Sequence, residues 1–569
     1  MVALVVVVPR VMLSACVTDF GADGGYYTDI AQNLRDGNGL TTDLSVFHQG
    51  FPSFPFPTPV YPLWPLVYGL AASLGPIERV GVWLPTALYF VVVALAYRLG
   101  KRLAPRLDLG ASFPIPGLTG LHGGHIFALT TALTSEFARA TARPYTEGLA
   151  FTLLFGLFLR APRLWSRLGL VAGLEMGAWL AALFFTRSQL VVVAIAAVLG
   201  LGFAVLRRPR EASTFFLGSV VVAAAAWRAY LAWAGTFLPN PSLTTYLRFD
   251  LARVESNLSA IPVMVQTTGP LDRLLDLASS FPIAFSLYES GYTYFNLHAA
   301  LIHAVPLALV VLVARYRRLP ALLRFARSPA GPNAVFFTSA AIGLLLSLHT
   351  VHKVYGASWV FGGRHAIPTL FIVANAVLFL LRARGATRAA GIAVLLAGTY
   401  GMWRGLALSA NNQCINAQTS PDLVAYRAPI RGFLLSEHAR LGGLTVAVER
   451  PEAQRLAWRT PDVGFHWLTD TTSVDDLSVL VRELDVAYVV DFEEVGYLGA
   501  IRDPAFSRYF ALYVVFDERG AGEDEDAATT GRARRTRVYA PRCTSFPEVE
   551  TCDPRPPPPP AVAEKEPAL

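Results

Sequence analysis

Apolar runs of about the length that crosses a bilayer recur along the chain, separated by short arginine-rich segments. They fall at 1–18, 80–97, 115–133, 146–160, 168–186, 188–206, 213–233, 297–314, 333–350, 366–381 and 389–408. Within a bilayer each segment must satisfy its own backbone polar groups, so such runs predict helices. The pattern changes at Ser409. From there to about Pro541 short apolar stretches alternate with amphipathic ones. The alternation predicts a helix over Asp422–Arg440, a strand at 444–448, a helix from Ser473 to Leu484 and a strand at 486–490. The last elements are a hairpin of 509–516 and 536–540 around a charged loop. Strands 444–448 and 486–490 each follow a helix, which predicts that they are neighbours in one sheet. The expected fold is an α-helical polytopic membrane protein of about eleven spans with a C-terminal α/β domain. The expected division is 1–408 membrane domain, 409–542 extracytoplasmic soluble domain and 543–569 Pro-rich disordered tail, which carries DPRPPPPP.

Orientation follows from the basic loops. With a cytoplasmic N-terminus, the inner loops hold Arg98, Lys101, Arg102 and Arg106, then Arg160, Arg163 and Arg167, then Arg207, Arg208 and Arg210. The loop with Arg315, Arg317, Arg318, Arg324 and Arg327 and the loop with Arg382, Arg384 and Arg388 fall on the same side. The short outer loops hold far fewer cations. An odd number of spans puts the C-terminal domain outside, together with the two long non-spanning loops at 19–79 and 234–296. The location this implies is a cell membrane, crossed many times, with an Ala- and Arg-rich composition that suggests a bacterial inner membrane.

The polar stretch after the first run, Asp19–Gly39, concentrates the chemistry. Asp19 and Asp23 stand just beyond a span, followed by a short amphipathic helix. Tyr27, Ile30, Ala31 and Leu34 share one face, and Asp29, Asn33 and Asp36 lie away from it. The pattern describes a helix lying flat on the membrane boundary.

Composition narrows the function classes. The chain of 569 residues is 53% hydrophobic and 16% charged, where a soluble protein carries about a quarter charged residues. The net charge of +7 sits in loops between spans, so it does not indicate a nucleic-acid partner. No P-loop, GxSxG, CxxC pair or dinucleotide fingerprint occurs. Cys543 and Cys552 close a small loop on the outer side, with Cys414 a competing partner, while Cys16 lies in a span.

Each candidate residue has a structural reading beside a chemical one. Asp23 either caps a helix beginning at Gly24 or takes a proton from a hydroxyl, with Asp19 as the local alternative base. Glu147 at the mouth of the fourth span is either a helix N-terminal acid or a site residue. Arg187, and Arg364 with His365, either snorkel or neutralise a lipid phosphate. Lys353, with His349 and His352, forms a cationic cluster. The two histidines share a helical face and admit a metal, but no third ligand is identifiable. The site residues are therefore expected to include no protein-built metal centre, and no cofactor is certain; a divalent metal stays open.

The stretch DGGYYTDIAQNLRDGNGL followed by PVYPLWPLV resembles the membrane-embedded glycosyltransferases of the C superfamily (GT-C), in the branch of protein O-mannosyltransferases and lipid A aminoarabinose transferases. The resemblance implies a transferase that uses a polyprenyl-phosphate sugar donor, with a glycan, lipid or protein acceptor, within a lipid bilayer. Asp23 falls on the family acid, and Tyr27 matches the helix that follows. Gly24 stands where the family often has a second acid, which removes a carboxylate from any metal or paired-acid role. Arg364 resembles a basic residue before the penultimate span. On this reading Asp23 deprotonates an acceptor hydroxyl, which displaces the lipid phosphate with inversion, and Arg187, Arg364, Lys353 or His365 receives the phosphate charge. Asp23 and the cations then face one cavity across a gap of about one sugar ring. Two other classes compete: a transporter or lipid flippase without chemistry, and a structural subunit of an envelope complex.

Overall fold

The computed structural model describes residues 2–17, 19–45, 56–57, 61–105, 107, 121–187, 190–234, 328, 331–355, 370–382, 385–419, 427–468, 472–492, 499–518 and 534–546. They form two compact units. The first holds Met1–Ala15, Pro59–Trp64 and Val82–Gln413; the second holds Cys16–Thr58, Pro65–Gly81 and Cys414–Leu569.

The first unit is helical. Its elements are α1 (Val2–Ala15), most of α4 (Ile77–Leu103), α5 (Gly123–Leu133), the short α6 (Ser135–Ala140), α7 (Glu147–Ser166), α8 (Leu170–Thr186), α9 (Val191–Val205) and α10 (Pro209–Ala234), then α11 (Gly331–Tyr355), α12 (Leu370–Arg382) and the long α13 (Ala386–Thr419), which runs on into the second unit. Among the described residues, Ile77–Leu103, Glu147–Ser166 and Pro209–Ala232 are long and apolar enough to cross a membrane. Val6–Ala15, α3 (Leu63–Ala72), Leu170–Thr186 and Val191–Val205 are shorter apolar helices. Their outward faces suit lipid: Val171, Val198, Phe216 and Leu217 are exposed.

Small residues bring these helices together where apolar burial offers no drive. Gly173 and Gly177 lie one turn apart on α8 against α10, where a methyl would come within 2.1 Å of the Phe215 carbonyl oxygen and 2.6 Å of that of Ser219. The Ser219 hydroxyl donates to the Gly173 carbonyl at 3.0 Å.

A buried cation ties the first helices to their neighbours. Arg10 of α1 is wholly buried. Its guanidinium donates to the Ser14 hydroxyl, to Thr86 Oγ1 at 3.2 Å and to the Thr141 carbonyl at 2.6 Å. It also lies 4.8 Å from the centre of the Tyr89 ring. The sequence pattern alone reads the first run as uniformly apolar and passes over this residue.

The second unit is built on a mixed six-stranded sheet. Its strands are β2 (Leu44–Ser45), β4 (Leu444–Glu449), β5 (Val463–Leu468), β6 (Tyr488–Phe492), β7 (Phe510–Glu518) and β8 (Arg534–Pro541), in the order β2-β5-β4-β6-β8-β7. The first four run parallel, and β8 and β7 close the far edge antiparallel. The strands expected at 444–448 and 486–490 do pair, Val446 opposite Tyr488 and Val448 opposite Val490. The helices of this unit include α14 (Ala428–Leu441), α15 (Arg450–Leu456) and α16 (Val474–Leu484). Ser473 caps α16 in a reciprocal box with Asp476, and Leu477 and Val481 of that helix pack with Val489, Phe506, Phe510 and Phe546 into an apolar core.

The first polar stretch belongs to this unit. It supplies helix α2 (Gly21–Arg35) and the edge strand β2, and the two-residue strands β1 (Thr41–Thr42) and β3 (Phe56–Pro57) pair beside it. Leu44 sits opposite Phe465, and Ser45 opposite His466. A disulfide joins Cys16 to Cys414, with Cα atoms 4.9 Å apart and 398 residues between them in sequence. Cys414, expected as a competing partner for the late cysteines, instead pairs with the cysteine after the first helix, and the Cys543–Cys552 loop lies outside the described residues at Cys552. The reason is tertiary, since the start of the second unit and its re-entry from α13 meet at that point.

Replacing Arg10 by Met should lower the stability of the helical unit by roughly 2–4 kcal/mol, because three buried oxygens lose a charged donor. The midpoint of thermal unfolding of the purified protein checks this; an unchanged midpoint would show that the Arg10 network carries no weight.

Candidate functional site

Helix α2 starts at Gly21, whose φ of 71° lets the chain turn in from Phe20. The start lies three residues before the expected one. Asp23 is therefore an acid of the first turn, where the helix dipole favours it, and not the capping residue. Its side chain is half-buried.

The seat of α2 is tight. A methyl on Gly25 would come within 2.0 Å of the Gln454 carbonyl oxygen, so the GlyGly pair lets α2 approach α15 at backbone contact. Phe20 stacks on Trp458 with ring centres 5.3 Å apart. Asp19 Oδ2 lies 3.2 Å from Arg455 Nε, and the same guanidinium reaches Glu452 Oε1 at 2.6 Å. Asp19, the alternative base, is thus committed to an ion pair that anchors the helix. Tyr27, half-buried one turn beyond Asp23, has its ring 6.1 Å from that of Tyr26.

The remaining expected site residues fall in the helical unit or outside the described residues. Glu147 opens α7 and is wholly buried, as a first-turn acid. Arg187, just past the end of α8, holds it through Nη1 to Oε1 at 2.5 Å. The two residues, proposed separately, are one ion pair, so part of the Arg187 charge is already answered. Lys353 lies in α11, but its side chain, with those of His349 and His352, is outside the described residues, as are Arg364 and His365.

The structure adds a cavity that the sequence pattern concealed. Asp29 and Asn33, expected to face water, are 1% and 6% exposed. They line a cavity of about 260 Å³ with Gln32, Asp36, Asn38, Asp43, Ala457, Pro461 and Asp462. Asp29 Oδ2 accepts from the Thr42 hydroxyl at 2.6 Å and from the Asp43 amide at 3.0 Å. Asn33 donates to Asp43 Oδ2 at 3.3 Å, and Asn38 donates to Asn33 Oδ1 at 3.1 Å. Asp43 Oδ1 is buried without a hydrogen-bond partner. The opposite wall brings Asp462, held at a left-handed φ of 67°. The clue in the sequence was the triplet ThrThrAsp at 41–43, which supplies the donors that a buried Asp29 needs.

Burial raises both carboxyls above their ordinary range. Asp29 is pushed well above the ordinary carboxylate range by burial, then by the charge of Asp43, against the bonds from Thr42 and the Asp43 amide. Asp43 is pushed up to about 6, again first by burial, with the Asp462 charge adding to it and Asn33 and the Asp462 amide opposing. Among the described residues no group of three His, Cys, Asp or Glu side chains stands ready to hold a metal ion. The described residues do not fit a metal centre, and no step below uses one.

No family model matches the chain, and no curated protein does. Among solved structures, the chain is similar to the archaeal oligosaccharyltransferase AglB from Archaeoglobus fulgidus in complex with an inhibitory peptide and a dolichol-phosphate. That likeness has a TM-score of 0.48 at 12% identity, covering 96% of this chain and 77% of that one. A second is the Archaeoglobus fulgidus oligosaccharyltransferase tethered through a disulfide bond to an acceptor peptide containing the NVT sequon. Here the TM-score is 0.44 at 12% identity, over 93% of this chain and 75% of that one. These are likenesses of shape, and the functional reading rests on the residues above.

The raised carboxyls give a pH dependence with a definite sign. Asp43 holds its proton in the folded chain up to about pH 6, whereas its ordinary value is 3.8. The folded state binds more protons across that window, so the Asp43 contribution to stability falls as pH rises from 3.8 to about 6 and is level above it. Asp43→Asn should flatten that slope and raise stability at neutral pH by on the order of 1–2 kcal/mol. Unfolding midpoints measured across the window check it; an Asp43→Asn slope equal to the wild-type slope would contradict it.

Proposed function

We propose that this chain is a polytopic glycosyltransferase of the GT-C type that moves a sugar from a polyprenyl-phosphate donor to a hydroxyl acceptor on the outer face of the membrane. The observation that carries the reading is Asp23. It sits in the first turn of a helix locked at backbone contact by Gly25 and by the Asp19–Arg455 pair, a few residues beyond the first apolar helix. The Cys16–Cys414 bond supports the side of the membrane, since disulfides persist in oxidising compartments. With about eleven spans, the sheet-bearing unit lies outside.

In this mechanism Asp23 accepts the proton of the acceptor hydroxyl as the oxygen attacks the anomeric carbon. The bond from that carbon to the phosphate oxygen breaks, and the electron pair leaves with the lipid phosphate. Attack opposite the leaving group inverts the anomeric configuration. Arg364, His365 and Lys353 meet the developing phosphate charge. Arg187 does so too, with Glu147 fixing the direction of its guanidinium. Tyr27, one turn along α2, flanks the acceptor. The acceptor is a glycan, a lipid or a protein side chain.

Asp23→Asn removes the base and keeps its shape. Transfer should fall about 10²–10⁴-fold, while the loss of a first-turn charge costs only about 0.3–1 kcal/mol of stability. Release of sugar from polyprenyl-phosphate donors in membranes carrying either form measures it, and undiminished transfer would sink the mechanism. The topology has its own check. Ala439 is exposed on α14, so an Ala439→Cys variant lacking Cys543 and Cys552 should react with an impermeant thiol reagent in intact cells. Labelling only after lysis would place this unit on the other side.

A further inference from the structure

Arg187 and Glu147 both stand where a helix is least stiff. Glu147 is the first residue of α7, and Arg187 is the residue just past α8. Helix ends fray, because their outermost backbone groups lack partners within the helix. A guanidinium that has to meet a phosphate in one direction needs both ends held from elsewhere.

One short segment does this on both sides. Trp64, in the first turn of α3 and wholly buried, donates from Nε1 to the Pro144 carbonyl at 2.8 Å. Pro144 lies in the turn of 141–146 that leads into Glu147. Tyr61, also buried and just before α3, sets its ring edge against Phe184 with centres 5.9 Å apart. Phe184 belongs to the last turn of α8, directly ahead of Arg187. The start of the 141–146 turn is held as well, since the Thr141 carbonyl takes the Arg10 guanidinium at 2.6 Å. All of these residues belong to the first unit. Within the ion pair the two members differ: the Glu147 side chain is 0% exposed and that of Arg187 is 13% exposed. The acid has no surface for a ligand, and the arginine has some, so the enclosed member aims the open one. Trp64 has its indole donor on a carbonyl and no exposed surface, so it acts on a ligand only through the residues that it holds.

We propose that Trp64 and Tyr61 are positioning residues for Arg187. Trp64 fixes the entry to Glu147 through the Pro144 carbonyl, and Tyr61 fixes the end of α8 through Phe184, so that the guanidinium is directed at the lipid phosphate. The inference rests on the reading above in one respect, that Arg187 meets that phosphate.

The test reads phosphate binding rather than transfer. With the full chain in nanodiscs, native mass spectrometry measures the preference for polyprenyl phosphate over polyprenol, which has the same tail and no phosphate. Arg187→Gln, which can still donate to Glu147, should weaken that preference about tenfold or more, as for a lost charged hydrogen bond. Arg187→Lys is the second background, since it keeps a charge for Glu147 and loses the planar fork. Trp64→Phe removes the Nε1 donor and keeps an aromatic ring, and Tyr61→Leu removes the ring edge at Phe184. Each should cost about three- to tenfold. In either Arg187 background each should cost less than about twofold, because residues that act through one partner are not additive. Far-ultraviolet circular dichroism and the unfolding midpoint confirm that the variants fold. Losses of equal size with and without Arg187, the result of a merely structural role, overturn this inference alone. So does an undiminished phosphate preference in both Trp64→Phe and Tyr61→Leu. No phosphate preference in the wild type, or one that both Arg187 variants leave intact, overturns the role of Arg187 and this inference with it. Coupled losses in a chain that releases no sugar uphold this inference and remove the transfer step instead.

Discussion

Within the second unit much depends on one buried carboxyl. Asp29 receives the Thr42 hydroxyl and the Asp43 amide on a single oxygen. These two bonds fold the segment after α2 back on the helix. The next residues, Leu44 and Ser45, then have one direction open to them, which is along β5. The Asp43 carbonyl receives the Phe465 amide at 2.7 Å, so the ladder begins where the Asp29 contact ends. Without it, the polar loop has no internal reason to meet a strand over 400 residues further on, and the edge of the sheet is uncovered.

The same logic explains why α2 is buried on nearly all sides despite its polar composition. Thr28 returns its hydroxyl to the Gly24 carbonyl at 2.7 Å, Asn33 is bonded on both ends, and Asp29 is held by its two donors. A polar side chain may leave water when each of its groups finds a partner. The apolar face and the polar face of α2 are therefore both interior faces: one meets α15 and Trp458, the other the acidic cavity.

That is also where the sequence could be read and where it could not. Apolar runs announce membrane helices because the bilayer forces each helix to satisfy itself. Strands 444–449 and 488–492 were legible from short β-branched runs between helix signals. Asp23 stood out because it follows an apolar run. By contrast, Asp29 and Asn33 obeyed the rule that polar positions face water, and only a loop folded back from residue 42 reverses that rule. The partner of Cys16 was equally hidden, since proximity across 398 residues is set by the whole fold. Glu147 and Arg187 were each visible, but their pairing depends on how α7 and α8 pack. Local pattern names the residues, and the contacts that decide their roles are long-range.

The second unit treats the acids around α2 in two ways. Just before the helix, Asp19 is paired with Arg455, which also holds Glu452. Further along, Asp29 and Asp43 are raised above their ordinary range by burial and by neighbouring acids, against the hydrogen bonds that they accept. The first arrangement anchors the helix through charge, whereas the second costs the folded chain stability at neutral pH in exchange for the bonds that fold the loop back on α2.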